Sequence, residues 1–289
     1  MNSMEVGQSV APESTAVRVA LWRALHLEVD SQPPVFDDAI GLKLIAPDAS
    51  WRERPDMHPQ GTAGYRASIV GRARWIDDAV AGHDQRGVDQ YVILGAGLDT
   101  FALRRPDVAS RMQIYEADQA GPQQWKRERL IELGLGMPEG LHFVPVDFEV
   151  SGTWWSQLQA AGFDVRRPSI VASTGVSMYL SRDAIAATLR QTSTLAPGST
   201  FAMTFLLPLD LIEDSQDRAQ HEAVYARARA AGTPFMSFFR PEEMMSLARE
   251  CGFKEAAYVS SADIAHRYFS GRSDGLKPAS GEGFVVAAT

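Results

Sequence analysis

An apolar run that feeds straight into a glycine turn, Tyr91-Val92-Ile93-Leu94-Gly95-Ala96-Gly97-Leu98-Asp99-Thr100, sets the architecture of this chain. A short, unbroken apolar run bounded by glycine reads as a strand buried on both faces, as in a parallel sheet covered by helices. Glycine carries no Cβ, so the turn can bend tightly and lie close to a ligand. A second run follows, Ile114-Tyr115-Glu116-Ala117-Asp118, and it ends in a carboxylate placed where an acid can accept both hydroxyls of a ribose. Together the two features predict a βαβ unit that holds an adenosine-type cofactor across its strand ends.

The same alternation continues along the chain. Apolar runs at 90–94, 113–117, 141–145, 169–173 and 200–205 predict five strands, and helical patterns at 120–133, 153–160 and 182–195 lie between them. Pro197-Gly198 marks the turn into the fifth strand. Beyond a mixed segment at 210–230, a helix is expected from Pro241 to Cys251, then two late strands at 255–260 and 283–288. Ahead of the sheet, Val17, Ala20, Leu21, Ala24 and Leu25 recur at helical spacing, and Ile69, Ala73, Ile76 and Val80 form a second stripe in a helix over 64–80. Between them Pro33, Pro34, Pro47, Pro55 and Pro59 chop the chain into short pieces around one helical stretch at 37–45. The expected organisation is an α/β protein: an N-terminal helical cap over residues 1–85, then a cofactor-binding catalytic domain over 86–289 with a substrate-pocket insertion at 206–240.

A chain of 289 residues is long enough for one large core with such a cap. Its net charge of -8 repels polyanions, and without a local basic patch this argues against nucleic acid or an anionic membrane as partner. The single cysteine, Cys251, can form neither an intramolecular disulfide nor a cysteine-ligated metal site, which fits a reducing compartment. No apolar stretch reaches the ~18 residues of a membrane span. Residues 1–10 are polar and lack the pattern of a secretory signal. The expectation is a cytoplasmic enzyme that uses no metal and acts on a small molecule; the sequence is silent on oligomeric state.

Two departures weigh against a nicotinamide cofactor. A dinucleotide site wants a third glycine where the helix receives the pyrophosphate, and Thr100 stands there. A short-chain reductase would also pair a tyrosine with a lysine four residues on, yet Tyr179 is followed at that spacing by Asp183.

Further blocks follow in order: Trp125-Lys126-Arg127-Glu128-Arg129-Leu130, Val144-Pro145-Val146-Asp147-Phe148, Gly175-Val176-Ser177-Met178-Tyr179-Leu180, Ala196-Pro197-Gly198-Ser199 and Phe235-Met236-Ser237-Phe238-Phe239. With the glycine turn and Tyr115-Glu116-Ala117-Asp118, they resemble the leucine carboxyl methyltransferase-like family of class I S-adenosylmethionine-dependent methyltransferases over residues 60–289. The resemblance implies a Rossmann-like, seven-stranded sheet whose last strand pair is antiparallel. It also implies S-adenosyl-L-methionine as cofactor and S-adenosyl-L-homocysteine as product. By similarity the Gly95-Ala96-Gly97 turn faces the methionine part, Asp118 the ribose, and Asp147 and Phe148 the adenine. An arginine from the helix before the first strand holds the methionine carboxylate in the family; Arg72 aligns best and Arg66 second. Thr174 stands where the family commonly has glutamate, so a hydroxyl replaces a carboxylate or the pocket is altered.

Methyl transfer is an in-line displacement for which the enzyme positions the nucleophile and excludes water. A carboxylate acceptor is already ionised at neutral pH, whereas a phenol benefits from a base. Tyr179 and His221 are the expected catalytic residues, with His266 a further candidate by location. Tyr179, Phe205 and Phe239 are expected to line the acceptor pocket, with Trp51, Tyr225, Phe235, Met236 and Phe238 nearby and the Tyr268-Phe269 pair closing the chamber. The reading is O-methyl transfer to a carboxylate or phenolic hydroxyl of a small, aromatic or polyketide-like molecule in secondary metabolism. Rival readings are a protein C-terminal carboxyl methyltransferase, a non-methylating or non-catalytic S-adenosylmethionine-binding homologue, and an NAD-type oxidoreductase.

Overall fold

The computed structural model describes residues 9–148 and 153–289. The polar N-terminal stretch lies, through residue 8, outside the described residues.

The chain opens with helix α1 (Ser14–Val29), a short α2 (Ile40–Ile45), two 3-10 turns (Ala49–Glu53 and Pro55–Met57) and the long α3 (Ala63–Gln85). Strand β1 (Gln90–Leu94) leads through α4 (Phe101–Arg104) and α5 (Pro106–Ala109) to β2 (Gln113–Asp118), and α6 (Ala120–Glu132) leads to β3 (Leu141–Pro145). The chain then crosses back through α7 (Thr153–Ala160) to β4 (Ile170–Ser173), and α8 (Arg182–Ser193) connects to β5 (Thr200–Leu206). Helices α9 (Ser215–Ala230) and α10 (Pro241–Glu250) precede β6 (Glu255–Val259), and α11 (Ser261–Phe269) separates it from β7 (Glu282–Ala288).

The sheet order is β3-β2-β1-β4-β5-β7-β6. The first five strands in chain order are mutually parallel, and β7 pairs antiparallel with both β5 and β6. The topology reverses between β1 and β4, which opens a crevice above their carboxyl ends.

Alternation along β1 explains its unbroken apolar run. Val92 and Leu94 enter one core, with Leu158, Ile185, Leu189 and Met244 from α7, α8 and α10. Tyr91 and Ile93 enter the other, with Val70, Ile76 and Val80 of α3 and Ile264 and Phe269 of α11. A third, smaller core of Leu21, Ala24, Leu25, Trp51 and Met57 belongs to the cap. Thus α3 is a layer of the sheet, while α1 and the 3-10 turns build the cap.

Several boundaries differ from the sequence pattern. The helix expected at 37–45 starts only at Ile40, because Asp38 Oδ1 accepts the N–H groups of Ile40 and Gly41 at 3.1 Å each and caps it from outside. The mixed segment at 210–230 is helix α9 from Ser215 onward, begun where Asp214 accepts the N–H of Asp217 at 2.8 Å. Helix α11 was not anticipated; Ser260 and Asp263 form its capping box.

Candidate functional site

The glycine turn is held open by its backbone. Gly95 (φ 72°) and Gly97 (φ 50°) both lie in the left-handed region. A Cβ at Gly95 would stand 2.3 Å from Val176 Cγ2, so the loop after β4 packs directly on the turn after β1. Gly95 N–H donates to the carbonyl of Ala117 at 2.8 Å, and Gly97 N–H donates to Asp118 Oδ2 at 2.5 Å. The other Asp118 oxygen accepts the N–H of Gln119 at 2.7 Å. Ala96 is buried beside them. The cap is hooked to the same turn: Arg23 Nη2 donates to the carbonyl of Leu98 at 2.7 Å while its Nε lies 3.1 Å from Asp38. Asp147 is exposed just beyond β3, and Phe148 beside it packs against the first core.

The two candidate arginines have different surroundings. Arg66 is 2% exposed and fully engaged: Asp30 accepts from it at 2.6 and 2.7 Å, and Pro59 O and Thr62 Oγ1 at 3.0 Å. Arg72 reaches the carboxyl end of β4 instead. Its Nη2 would lie 2.8 Å from a Cβ at Gly175, whose φ is 73°, and its Nη1 donates to Glu282 at 2.8 and 3.1 Å. Thr174 is half-buried beside it, and Gly175 N–H donates to Thr204 Oγ1 at 2.8 Å. The carboxylate at Arg72 therefore comes from the first residue of β7. Glu282 was missed in the sequence because only antiparallel pairing brings it level with Leu206 at the end of β5.

Tyr179 ends a 3-10 turn (Ser177–Tyr179) after β4 and is 36% exposed. Burial raises its phenol above the usual value, opposed by the positive charges of Arg18 and Arg72. Its ring meets Phe235 edge-on at 5.5 Å. Two bonds fasten the Phe235 segment to this turn, Met236 N–H to Met178 O at 2.7 Å and Ser237 Oγ to Leu180 O at 2.5 Å.

His221 is 5% exposed on α9. Its Nδ1 lies 2.9 Å from the carbonyl of Asp217, which only accepts, so Nδ1 carries the proton; the Asp217 carboxylate is 3.1 Å away. Nε2 lies over Gly281, 2.2 Å from where a Cβ would stand. Tyr65 and Tyr225 meet the imidazole ring edge-on at 5.5 and 6.0 Å.

Other expected pocket residues lie elsewhere. Phe205 and Phe239 are each 1% exposed and packed edge-on against one another in the first core, so they support the sheet rather than line an opening. Trp51 belongs to the cap core. Tyr268 and Phe269 do not close a chamber: the Tyr268 hydroxyl donates to Asp78 at 2.8 Å and Phe269 packs under α3, because α11 lies along that helix. His266 is exposed on α11.

One buried pair was also missed. Glu116 and Lys126, each side chain 2% exposed, meet at 2.5 Å behind the site. Burial pushes the Glu116 carboxyl up to about 7, against the opposing pull of Lys126.

The strand order, the antiparallel last strand and the clamped glycine turn at the switch point define the class I S-adenosylmethionine-dependent methyltransferase fold. Two solved structures share it across nearly the whole chain. One is a DUF574 family protein from Streptomyces avermitilis MA-4680 (TM-score 0.61, 15% identity, 96% of this chain and 98% of that one). The other is described as a methyltransferase from Thermobifida fusca YX (TM-score 0.59, 18% identity, 96% and 95%). The family model of leucine carboxyl methyltransferase matches residues 16–193, and the chain belongs to that family. It is 29% identical to YktD of Bacillus subtilis (strain 168), over 91% of this chain and 93% of that one. It is 32% identical to a protein of Mycobacterium sp. (strain KMS), over 76% and 75%. Both carry provisional names as S-adenosyl-L-methionine-dependent methyltransferases. The protein is an S-adenosylmethionine-dependent methyltransferase.

Proposed function

We propose that this methyltransferase transfers its methyl group to oxygen, on a carboxylate or phenolic hydroxyl of a small organic molecule. The observation that carries the reading is Tyr179, which ends the turn after β4, is acted on by the charges of Arg18 and Arg72, and packs its ring edge-on against Phe235 at 5.5 Å. That residue stands between a charged end suited to the donor's amino-acid part and an aromatic region suited to an acceptor ring. A family named for carboxyl methylation supports oxygen as the nucleophile.

The chain's own groups fit the donor. Gly95 and Gly97 leave the turn bare where side chains would crowd it, and the Asp118 carboxylate keeps lone pairs beyond its two main-chain bonds for a ribose. The Arg72 guanidinium, held by Glu282 through Nη1, has the fork geometry that suits the methionine carboxylate. Asp147 and Phe148 offer an acceptor and a ring edge for adenine. When bound, S-adenosylmethionine supplies an electrophilic methyl group on a sulfonium. Tyr179 and the aromatic side chains beyond it would orient the acceptor and exclude water, and His221, its Nδ1 on the Asp217 carbonyl and its Nε2 packed over Gly281, would support that wall.

The test is methylation of a panel of carboxylic acids and phenols with methyl-labelled S-adenosylmethionine. Label that alkali releases marks esters and label that resists it marks aryl ethers; either, with matching S-adenosylhomocysteine, supports the reading. Donor binding with transfer to nitrogen, to carbon or to peptide C-termini alone overturns it.

A further inference from the structure

Tyr65 of α3 and Tyr225 of α9 bury their hydroxyl oxygens completely, and neither finds a hydrogen-bond partner among the described residues. Folded proteins rarely leave a buried hydroxyl unsatisfied, because it forfeits water and gains nothing in return. Here there are two, and they flank one histidine ring at 5.5 and 6.0 Å. Asp217 is already committed, to His221 and to the N–H of Ser280 at 2.8 Å, and Glu282 to Arg72. Among the described residues the two phenols are therefore surplus donors.

Other aromatic rings pack against both. The Trp22 ring lies parallel to Tyr65 at 6.1 Å with 12° between planes, and Phe235 meets Tyr225 edge-on at 5.4 Å before reaching Tyr179. This wall runs from the cap to the residue that ends the turn after β4. Helix α3 ties it to the charged end as well, since Tyr65 and Arg72 are seven residues apart and so share one helix face. The negative charge of Glu282 acts on Tyr225 as it does on Tyr179. Burial keeps both phenols protonated, that of Tyr65 pushed up to about 12 with Asp217 adding to the effect, so each remains a donor at any physiological pH.

We propose that Tyr65 and Tyr225 are the acceptor-recognition pair: a planar aromatic acceptor enters beside His221, and one carbonyl or carboxylate oxygen on its ring accepts a hydrogen bond from both hydroxyls. The pair is a binding device for the methyl acceptor and deepens the methyltransferase reading, on which it rests. It selects flat rings by the surrounding aromatic faces and selects an oxygen acceptor by two donors that nothing else satisfies.

The hydroxyls have no hydrogen-bond partner among the described residues, so Tyr65→Phe and Tyr225→Phe should fold with an unchanged or higher Tm, unlike ordinary core substitutions. Calorimetric titration with S-adenosylhomocysteine comes first. A wild-type chain that does not bind it overturns the donor reading and this proposal together. The S-adenosylhomocysteine complex is then titrated with salicylate, a flat ring carrying a carboxylate, and with cyclohexanecarboxylate, of equal charge but not flat, reading heat and Trp22 fluorescence. The expected result is salicylate binding at least ten-fold tighter than cyclohexanecarboxylate. Each Phe variant should lose five-fold or more for salicylate and the double variant more still, with S-adenosylhomocysteine affinity intact. Equal binding of the two acids, no binding of salicylate, variants that bind it as wild type does, or a Tm lowered by several degrees would each overturn the proposal.

Discussion

Asp118 Oδ2, at the end of β2, accepts the backbone N–H of Gly97 at 2.5 Å. The acid that a nucleotide site places on the ribose is thus also the clamp that shapes the glycine turn after β1, with its second oxygen on Gln119 N–H at 2.7 Å. Asp118→Ala should cost about 1–3 kcal/mol of S-adenosylhomocysteine affinity, the scale for losing a charged hydrogen-bond partner. Asp118→Asn, which keeps one acceptor oxygen, should lose less. Calorimetry decides; an unchanged affinity in the alanine variant rejects the ribose role.

Gly95 tests the turn itself. At φ 72° an alanine meets the left-handed penalty of about 1–2 kcal/mol, and its Cβ would lie 2.3 Å from Val176 Cγ2. Gly95→Ala should lower Tm by several degrees and weaken donor binding. Adding Val176→Ala removes the clash but not the backbone cost, so thermal denaturation should show partial recovery only; full recovery would mean the backbone conformation carries no penalty.

The two arginines of α3 should fail in different ways. Arg66 is locked to Asp30 at 2.6 Å, and breaking such a buried pair costs about 3–5 kcal/mol of stability. Arg72 is partly open to solvent, and Arg72→Ala should instead lower S-adenosylhomocysteine affinity by about 10- to 100-fold, corresponding to one charged hydrogen-bonded contact. Binding of 5′-methylthioadenosine, which lacks the amino-acid carboxylate, should barely change in that variant. Equal losses for the two ligands would make Arg72 structural.

Glu116 gives a pH signature. Its folded carboxyl sits at about 7 against an ordinary value of 4.5, so between those values the folded chain holds a proton that the unfolded chain has released. Stability contributed by this group is therefore greatest below pH 4.5, falls as pH rises through the window and is constant above it. Replacing both partners, Glu116→Gln with Lys126→Met, should flatten this part of the profile by about 1–3 kcal/mol. Urea titrations at successive pH values measure it, and an unaltered slope would assign the pH dependence to other groups.

Much of the sheet was legible because its parallel strands are buried on both faces. Tyr91 through Leu94 therefore reads as a plain apolar run, and Ile114 through Ala117 and Phe201 through Phe205 as apolar runs broken only by Glu116 and Thr204. Helix α11 was not legible, since its nine residues sit between two strands that elsewhere would form a hairpin, and only its Ser260–Asp263 cap announces it. Phe205 and Phe239 looked like pocket residues for the converse reason. An aromatic side chain carries the same composition signal in a core as in an opening.

The sequence by itself determined the parts that local rules govern. These are the glycine turn, whose conformation needs residues without Cβ, the acid at the end of the second strand, and the alternation of strands and helices that requires a parallel sheet. Tertiary structure alone decided which distant groups meet. Antiparallel insertion of β7 beside β5 brings Glu282 to Arg72, 210 residues away, and docking of α9 against α3 sets Tyr65 and Tyr225 around His221. Such contacts depend on the packing of whole elements rather than on spacing along the chain, and no periodicity encodes them.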